Sequence, residues 1–204
     1  MIASLPNLLS LSRIAAIPVL LGLFFLDGEL ARWAAGAIFF VACLTDFLDG
    51  YFARVRRQQT DLGRLLDPIA DKLLVAATIF MLVAFDRVTG LAILPATVIL
   101  CREIVVSGLR EFLAGLSISM PVTRLTKWKT AIQMVAIGIL LIGDAGPVFI
   151  PMVEIGEVGL WVAAALTFIT GYNYLRASAK HLAGAGVSPK SRAVKEAKPA
   201  NPLG

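Results

Sequence analysis

Charged residues are scarce in this chain of 204 residues, which has 19 Lys and Arg, 14 Asp and Glu, and a single histidine. They make up 16% of the chain, whereas a water-soluble domain carries about 25%. Because 58% of the residues are hydrophobic and only two are cysteines, the composition excludes a disordered chain and a disulfide-rich secreted scaffold. One histidine also leaves no histidine cluster for a metal. The composition indicates an integral membrane protein.

Long apolar runs predict six transmembrane helices, since a span needs about 20 mostly apolar residues. We place the spans at about Leu8–Leu26, Trp33–Ala53, Leu65–Phe85, Leu91–Leu113, Lys129–Phe149 and Glu157–Leu175. The expected fold is therefore an all-α membrane domain over residues 1–183. From Gly184 onward Ser, Pro, Lys and Ala dominate, which predicts a flexible basic tail over residues 184–204.

The basic residues orient these six spans. All 19 Lys and Arg residues except Arg32 and Arg87 fall on one side of the expected membrane domain. Because Lys and Arg concentrate in cytoplasmic loops, both termini are expected in the cytoplasm, with the protein in a bacterial inner membrane. The basic charge follows the membrane topology and lacks interleaved aromatic residues, so nucleic-acid binding is not expected.

Two consecutive helices carry aspartates at helical spacing. Small residues and carboxylates share one face in each: Asp46, Asp49, Gly50 and Ala53, then Gly63, Asp67 and Asp71. An ionised aspartate in a span costs about 2.5–3.5 kcal/mol, so positive charge must offset this set. Divalent cations do so, since Mg²⁺ binds through carboxylates and substrate phosphates. Ion pairs are the alternative, with the cations Arg54, Arg56, Arg57, Arg64 and Lys72.

The aspartates belong to a longer pattern. The segment DFLDGYFARVRRQQTDLGRLLDPIADK, which starts at Asp46, contains D-x2-D-G-x2-A-R-x8-G-x3-D-x3-D. It resembles the signature of the CDP-alcohol phosphatidyltransferases, with every motif position filled. This resemblance implies six transmembrane helices around a two-metal site at the cytoplasmic membrane surface. There the enzymes transfer a phosphatidyl group from a CDP-linked lipid to an alcohol and release CMP.

The resemblance also implies roles for individual residues. Two Mg²⁺ or Mn²⁺ ions would be held by Asp46, Asp49, Asp67 and Asp71. Asp71 would be a ligand, the general base for the acceptor hydroxyl, or both, and a base must lie within hydrogen-bond reach of that proton. The cytidine diphosphate group would be bound by Asp46, Gly50, Ala53, Arg54 and Gly63. A homodimer is the oligomeric state that the resemblance implies.

A basic region between the fourth and fifth spans indicates the acceptor. The segments CREIVVSGLREFLAG and TRLTKWKTAIQMVAI place several cations at one membrane face, and such clusters bind acidic ligands by charge-assisted hydrogen bonds. Both segments resemble the branch of the family that makes phosphatidylglycerophosphate from CDP-diacylglycerol and glycerol-3-phosphate, except that Thr126 stands where glycine is usual. The expected contacts to the acceptor phosphate are Arg110 and Lys127, with Arg102 and Lys129 as further candidates.

Two other functions compete with this one. The same family could use another acceptor, namely phosphatidylglycerol, inositol phosphate or serine. A small cation transporter or channel is the alternative of another class, because carboxylates inside a membrane often mark ion pathways. Against it, the acidic residues cluster at one membrane face, and the other halves of the spans lack ionisable residues that would continue a path. Metal-dependent binding of CMP or CDP distinguishes the transferase from the transporter.

Overall fold

Six α-helices form the protein in a computed structural model, which describes residues 5–56, 61–115 and 124–185. Within these helices the side chains of residues 5–7, 46–56, 61–65 and 180–185 lie outside the description. The helices are α1 (Leu5–Gly22), α2 (Glu29–Arg56), α3 (Asp61–Ala84), α4 (Ile93–Gly115), α5 (Arg124–Ile142) and α6 (Met152–Ala185). No strand occurs in the described ranges. The expectation of an all-α chain with six helices is confirmed.

Four helices are long and apolar enough to cross a membrane, counting only residues that the structure describes. The candidate spans are Leu8–Phe25, Gly90–Gly115, Arg124–Ala145 and Met152–Ala179. Large apolar side chains such as Phe40, Phe80 and Phe168 point outward, each about two-thirds exposed. In water such a surface would be unfavourable, whereas in a bilayer lipid chains cover it.

The helices start and end where turn-forming residues allow it. Gly28 precedes α2 with φ of 110°, and Gly143 follows α5 with φ of 51°, a left-handed conformation that glycine adopts without strain. This glycine ends α5 at Ile142, although the apolar run predicted a span to Phe149. At its other end α5 begins at Arg124 rather than Lys129, because charged residues continue a helix beyond its apolar part.

The sixth helix is longer than the predicted span. It runs from Met152 to Ala185, whereas the apolar run covers Glu157–Leu175. The first two residues of the expected tail, Gly184 and Ala185, therefore belong to this helix. The rest of the tail, residues 186–204, lies outside the described residues.

The six helices follow one another around a common core. α1 packs against α2 and α3, α2 against α5, α5 against α6, and α6 against α4. The core is apolar and includes Leu20, Phe39, Leu74, Ile99 and Ile137, each at most 2% exposed. α3 and α4 contact each other less extensively, and a cavity of about 540 Å³ lies between them.

Glycines bring α5 and α6 close together. A Cβ atom added at Gly159 would lie 2.8 Å from the Cβ of Ala136, and one added at Gly156 would lie 2.5 Å from Cγ of Leu140. Both distances are shorter than carbon atoms tolerate. Glycine therefore lets the two backbones approach, as small residues commonly do between membrane helices.

Polar contacts hold the turns together at the end of the bundle away from Asp67 and Asp71. Trp33 Nε1 donates to the carbonyl of Ala145 at 2.9 Å, and Arg87 Nη1 donates to the carbonyl of Leu141 at 3.0 Å. The Arg87 guanidinium also lies 4.5 Å from the ring centroid of Phe24. Burial, followed by the positive charge of Arg32, lowers the pKa of Arg87 below its usual value.

Candidate active site

Helices α2 and α3 carry the aspartate motif. Asp46, Asp49, Gly50, Ala53 and Arg54 lie in the last three turns of α2, and Gly63 lies in the first turn of α3. The helical spacing expected for this motif is therefore present in both helices. The side chains of these residues lie outside the described part of the chain, so their roles stay predictions.

Asp67 and Asp71 are the two motif carboxylates whose surroundings the structure describes. They lie one turn apart on α3 and therefore on one face. Ser10 Oγ on α1 donates a hydrogen bond to Oδ1 of Asp67. Arg13 Nη1, one turn further along α1, forms an ion pair with Oδ1 of Asp71. Two consecutive turns of α1 thus face two consecutive turns of α3.

The two side chains of α1 that contact the aspartates are buried, whereas Asp71 is partly exposed. Ser10 is fully buried and Arg13 is 1% exposed, while the side chain of Asp71 is 36% exposed. The carboxylate therefore reaches open space, whereas the guanidinium that holds it does not. Sequence reasoning assigned no role to Ser10. The available signal was its three-residue spacing from Arg13 within a mostly apolar helix.

The donor set of Asp67 and Asp71 fits a divalent cation. Both supply carboxylate oxygens, the ligands that Mg²⁺ prefers. Within the described part of the chain, Asp67 accepts a hydrogen bond from a neutral hydroxyl, that of Ser10. Asp71 forms an ion pair with Arg13, a cation that the ion-pair alternative did not include.

The four basic acceptor candidates divide into two groups. Lys129 is buried at 2% exposure and forms an ion pair with Oε1 of Glu103. Arg102 Nη1 donates to the same oxygen at 3.0 Å. Arg110 and Lys127 are instead exposed. The structure therefore brings Arg102 and Lys129 together around one carboxylate and leaves the other two side chains accessible.

Further buried polar atoms lie in α4, α5 and α6. Gln133 follows Lys129 by one turn on α5 and is 1% exposed, and Thr167 on α6 is fully buried. Among the described residues, Oε1 of Gln133, Oγ1 of Thr167 and Nε of Arg102 have no hydrogen-bond partner. Buried polar atoms of this kind are commonly satisfied by water. The interior between α4, α5 and α6 is thus polar as well as apolar.

Comparison with known proteins identifies the family. The family model of the CDP-alcohol phosphatidyltransferases matches residues 3–169. The chain belongs to this family. The matched residues include the whole aspartate motif and the basic segments of α4 and α5, so the family that the motif predicted is confirmed, as is the class of enzyme.

Curated phosphatidyltransferases are similar to this chain over most of its length. A CDP-diacylglycerol–glycerol-3-phosphate 3-phosphatidyltransferase of Rickettsia bellii is 48% identical over 87% of this chain and 97% of its own. The enzyme of that name from Pseudomonas fluorescens is 43% identical over 88% of this chain and 92% of its own. A CMP-forming cardiolipin synthase of Oryza sativa subsp. japonica is 38% identical over 85% of this chain and 56% of its own.

Proposed function

We propose that this membrane enzyme transfers the phosphatidyl group of CDP-diacylglycerol to glycerol-3-phosphate, forming phosphatidylglycerophosphate and CMP. The observation that carries the proposal is the similarity to enzymes named for this reaction, at up to 48% identity over nearly their whole length. The reaction expected from the aspartate motif and the basic segments agrees with those names. The transporter alternative has no such support.

The reaction forms one bond and breaks another at a single phosphorus atom. The acceptor hydroxyl oxygen attacks the phosphorus that carries the diacylglycerol, and the bond from this phosphorus to the bridging oxygen of CMP breaks. The hydroxyl proton goes to the Asp71 carboxylate, and CMP leaves. Arg13 on α1 orients the Asp71 carboxylate. Because the Asp71 side chain is partly exposed, the acceptor can reach it.

Two divalent cations, Mg²⁺ or Mn²⁺, complete the proposed site. Their ligands would be Asp46, Asp49, Asp67 and Asp71. When bound, such ions neutralise the charge of the diphosphate and of the leaving phosphate. Ser10 donates to Asp67 and thereby orients that ligand. Gly50, Ala53, Arg54 and Gly63, together with Asp46, would contact the cytidine diphosphate group.

The acceptor phosphate is proposed to contact Arg110 and Lys127. Both are exposed, and in sequence they lie on either side of residues 116–123, which connect α4 to α5. A guanidinium and an ammonium form charge-assisted hydrogen bonds with phosphate oxygens. Arg102 and Lys129 were further candidates for this contact, and their shared partner Glu103 favours a supporting role for them.

The proposal also includes the membrane arrangement. α2 and α3, with 28 and 24 residues, exceed the roughly 20 residues that a span needs, so all six helices would cross the bilayer. Both termini would be cytoplasmic, because the basic residues lie on that side. The membrane domain would extend to the end of α6 at Ala185. Residues 186–204 would form a flexible basic tail, and two copies would form a homodimer in a bacterial inner membrane.

An assay of CMP release tests the function. The purified protein is given CDP-diacylglycerol with Mg²⁺ or Mn²⁺, and glycerol-3-phosphate, phosphatidylglycerol, inositol phosphate and serine are supplied separately. We expect release only with glycerol-3-phosphate, and none with EDTA. Release only with phosphatidylglycerol would replace the acceptor by that of a cardiolipin synthase. No release with any acceptor, from folded protein with metal, would contradict the transferase.

A further inference from the structure

Glu103 lies at the centre of a three-helix ion cluster. Its Oε1 atom accepts from Lys129 of α5 and, at 3.0 Å, from Nη1 of Arg102 of α4. Nη2 of Arg102 lies 3.5 Å from Oγ1 of Thr170 on α6. A Cβ atom added at Gly171 would lie 3.1 Å from Cγ of Arg102, so α6 also fits closely around this side chain. The cluster thus joins α4, α5 and α6.

Within this cluster, the Glu103 carboxylate offsets the positive charges of both Arg102 and Lys129. Glu103 is 21% exposed at its side chain, Arg102 is 13% exposed and Lys129 is 2% exposed. If Glu103 lost its charge, Arg102 and Lys129 would face each other with little water to screen them, and Lys72 of α3 would add a third positive charge nearby. A buried ion without its partner is strongly unfavourable. Lys129 differs from Glu103 in this respect, because without Lys129 the remaining Glu103 and Arg102 still form a neutral pair.

The cluster lies close in sequence to the exposed cations of the proposed acceptor site. Arg110 follows Glu103 by seven residues, or about 10 Å along α4. Lys127 precedes Lys129 by two residues in the first turns of α5. A shift of α4 against α5 at the cluster would therefore move the ends of the helices that carry Arg110 and Lys127.

We propose that Glu103 is a positioning residue for the acceptor: it holds Arg102 and Lys129 and thereby sets the relative position of Arg110 and Lys127. This inference rests on the proposed function. Lys129 acts through Glu103 and does not contact the acceptor phosphate. The polar acceptor and not the lipid donor is the substrate whose binding depends on the cluster.

Kinetics of three variants and one control test this role. CMP release is measured while glycerol-3-phosphate and CDP-diacylglycerol are varied in turn, for Glu103→Gln, Lys129→Met and the double variant. Asp144→Asn is the control, since it removes an ion pair with Arg32 at 3.4 Å in the turn that follows α5, outside the cluster. Thermal unfolding in detergent shows whether each variant is folded.

A definite order of effects is expected. Glu103→Gln raises the KM for glycerol-3-phosphate about tenfold or more, as loss of a charged hydrogen bond does, and leaves the KM for CDP-diacylglycerol unchanged. Lys129→Met has a smaller effect. The double variant binds glycerol-3-phosphate better than Glu103→Gln does, because the Lys129→Met change removes the unpaired cation. Asp144→Asn leaves both KM values unchanged.

Three results would overturn the proposal. Lys129→Met could raise the KM for glycerol-3-phosphate as much as Glu103→Gln does, and the double variant could fail to lower it again. This result would make Lys129 a direct phosphate contact. Glu103→Gln could lower kcat without changing either KM, which would indicate a structural role. It could also leave kcat and both KM values unchanged. If Glu103→Gln does not fold, Lys129→Met decides: a KM for glycerol-3-phosphate that rises less than tenfold supports the proposal, and a rise of tenfold or more overturns it. Failure of the proposed function is distinguishable, because the unaltered protein would then release no CMP with glycerol-3-phosphate.

Discussion

Arg13 and Asp71 are 58 residues apart in the chain and form an ion pair across α1 and α3. The guanidinium is almost fully buried, whereas the carboxylate is about one-third exposed. A buried cation therefore holds an accessible carboxylate at the proposed site of phosphatidyl transfer. Each member of the pair can be tested by substitution.

Replacing Asp71 tests the proposed general base. Asp71→Asn is expected to lower turnover by about 10²–10⁴-fold, the usual contribution of a positioned acid or base. Much of the metal binding should persist, because three other aspartates are proposed as ligands. CMP release and Mn²⁺ binding, measured on the same sample, check this prediction. Substantial turnover by Asp71→Asn would exclude Asp71 as the base.

Replacing Arg13 tests whether its ion pair from α1 positions the Asp71 carboxylate. Arg13→Gln leaves the partly exposed Asp71 carboxylate without this cation. Losing a hydrogen bond to a charged group costs about 1–3 kcal/mol, so the variant is expected to have lower thermal stability and lower kcat. Arg13→Lys keeps the charge and should fall between Arg13→Gln and the unaltered protein. Unfolding temperature in detergent and CMP release are the measurements. An Arg13→Gln protein with unchanged kcat would show that Asp71 needs no partner on α1.

The contact between α5 and α6 predicts a contrast between two glycines. Gly159→Ala places a methyl group 2.8 Å from the Cβ of Ala136, and such overpacking costs about 1–3 kcal/mol. Gly108→Ala on α4 meets nothing within 4 Å and should be neutral or stabilising, since alanine favours helices. Thermal unfolding of both variants in detergent checks this. Equal stabilities would contradict the close approach of α5 and α6.

The proposed orientation can be tested by cysteine labelling in intact cells. Cys43 and Cys101 are first replaced by alanine, and single cysteines are then introduced as Asp144→Cys or Arg176→Cys, both at exposed positions. A membrane-impermeant maleimide should label Asp144→Cys in intact cells, and Arg176→Cys only after the cells are opened. The reverse pattern would place the termini outside the cytoplasm.

Much of this fold could be predicted from the sequence because its determinants are local. Apolar runs of about 20 residues and the turns between them indicated six helices. The ends of the helices were less predictable: α5 starts at Arg124 and α6 continues to Ala185, since charged residues extend a helix beyond its apolar part. The four-residue spacing of Asp67 and Asp71 was enough to predict that they share one helix face.

Composition and short spacings were enough to predict the membrane class, the helical faces and the aspartate motif. Which helices meet depends on the packing of the folded chain. This packing placed Ser10 and Arg13 against Asp67 and Asp71, and it separated buried Lys129 from exposed Lys127. Helical spacing defines which residues share a face, but the neighbour of that face depends on how six helices rotate and pack around one core.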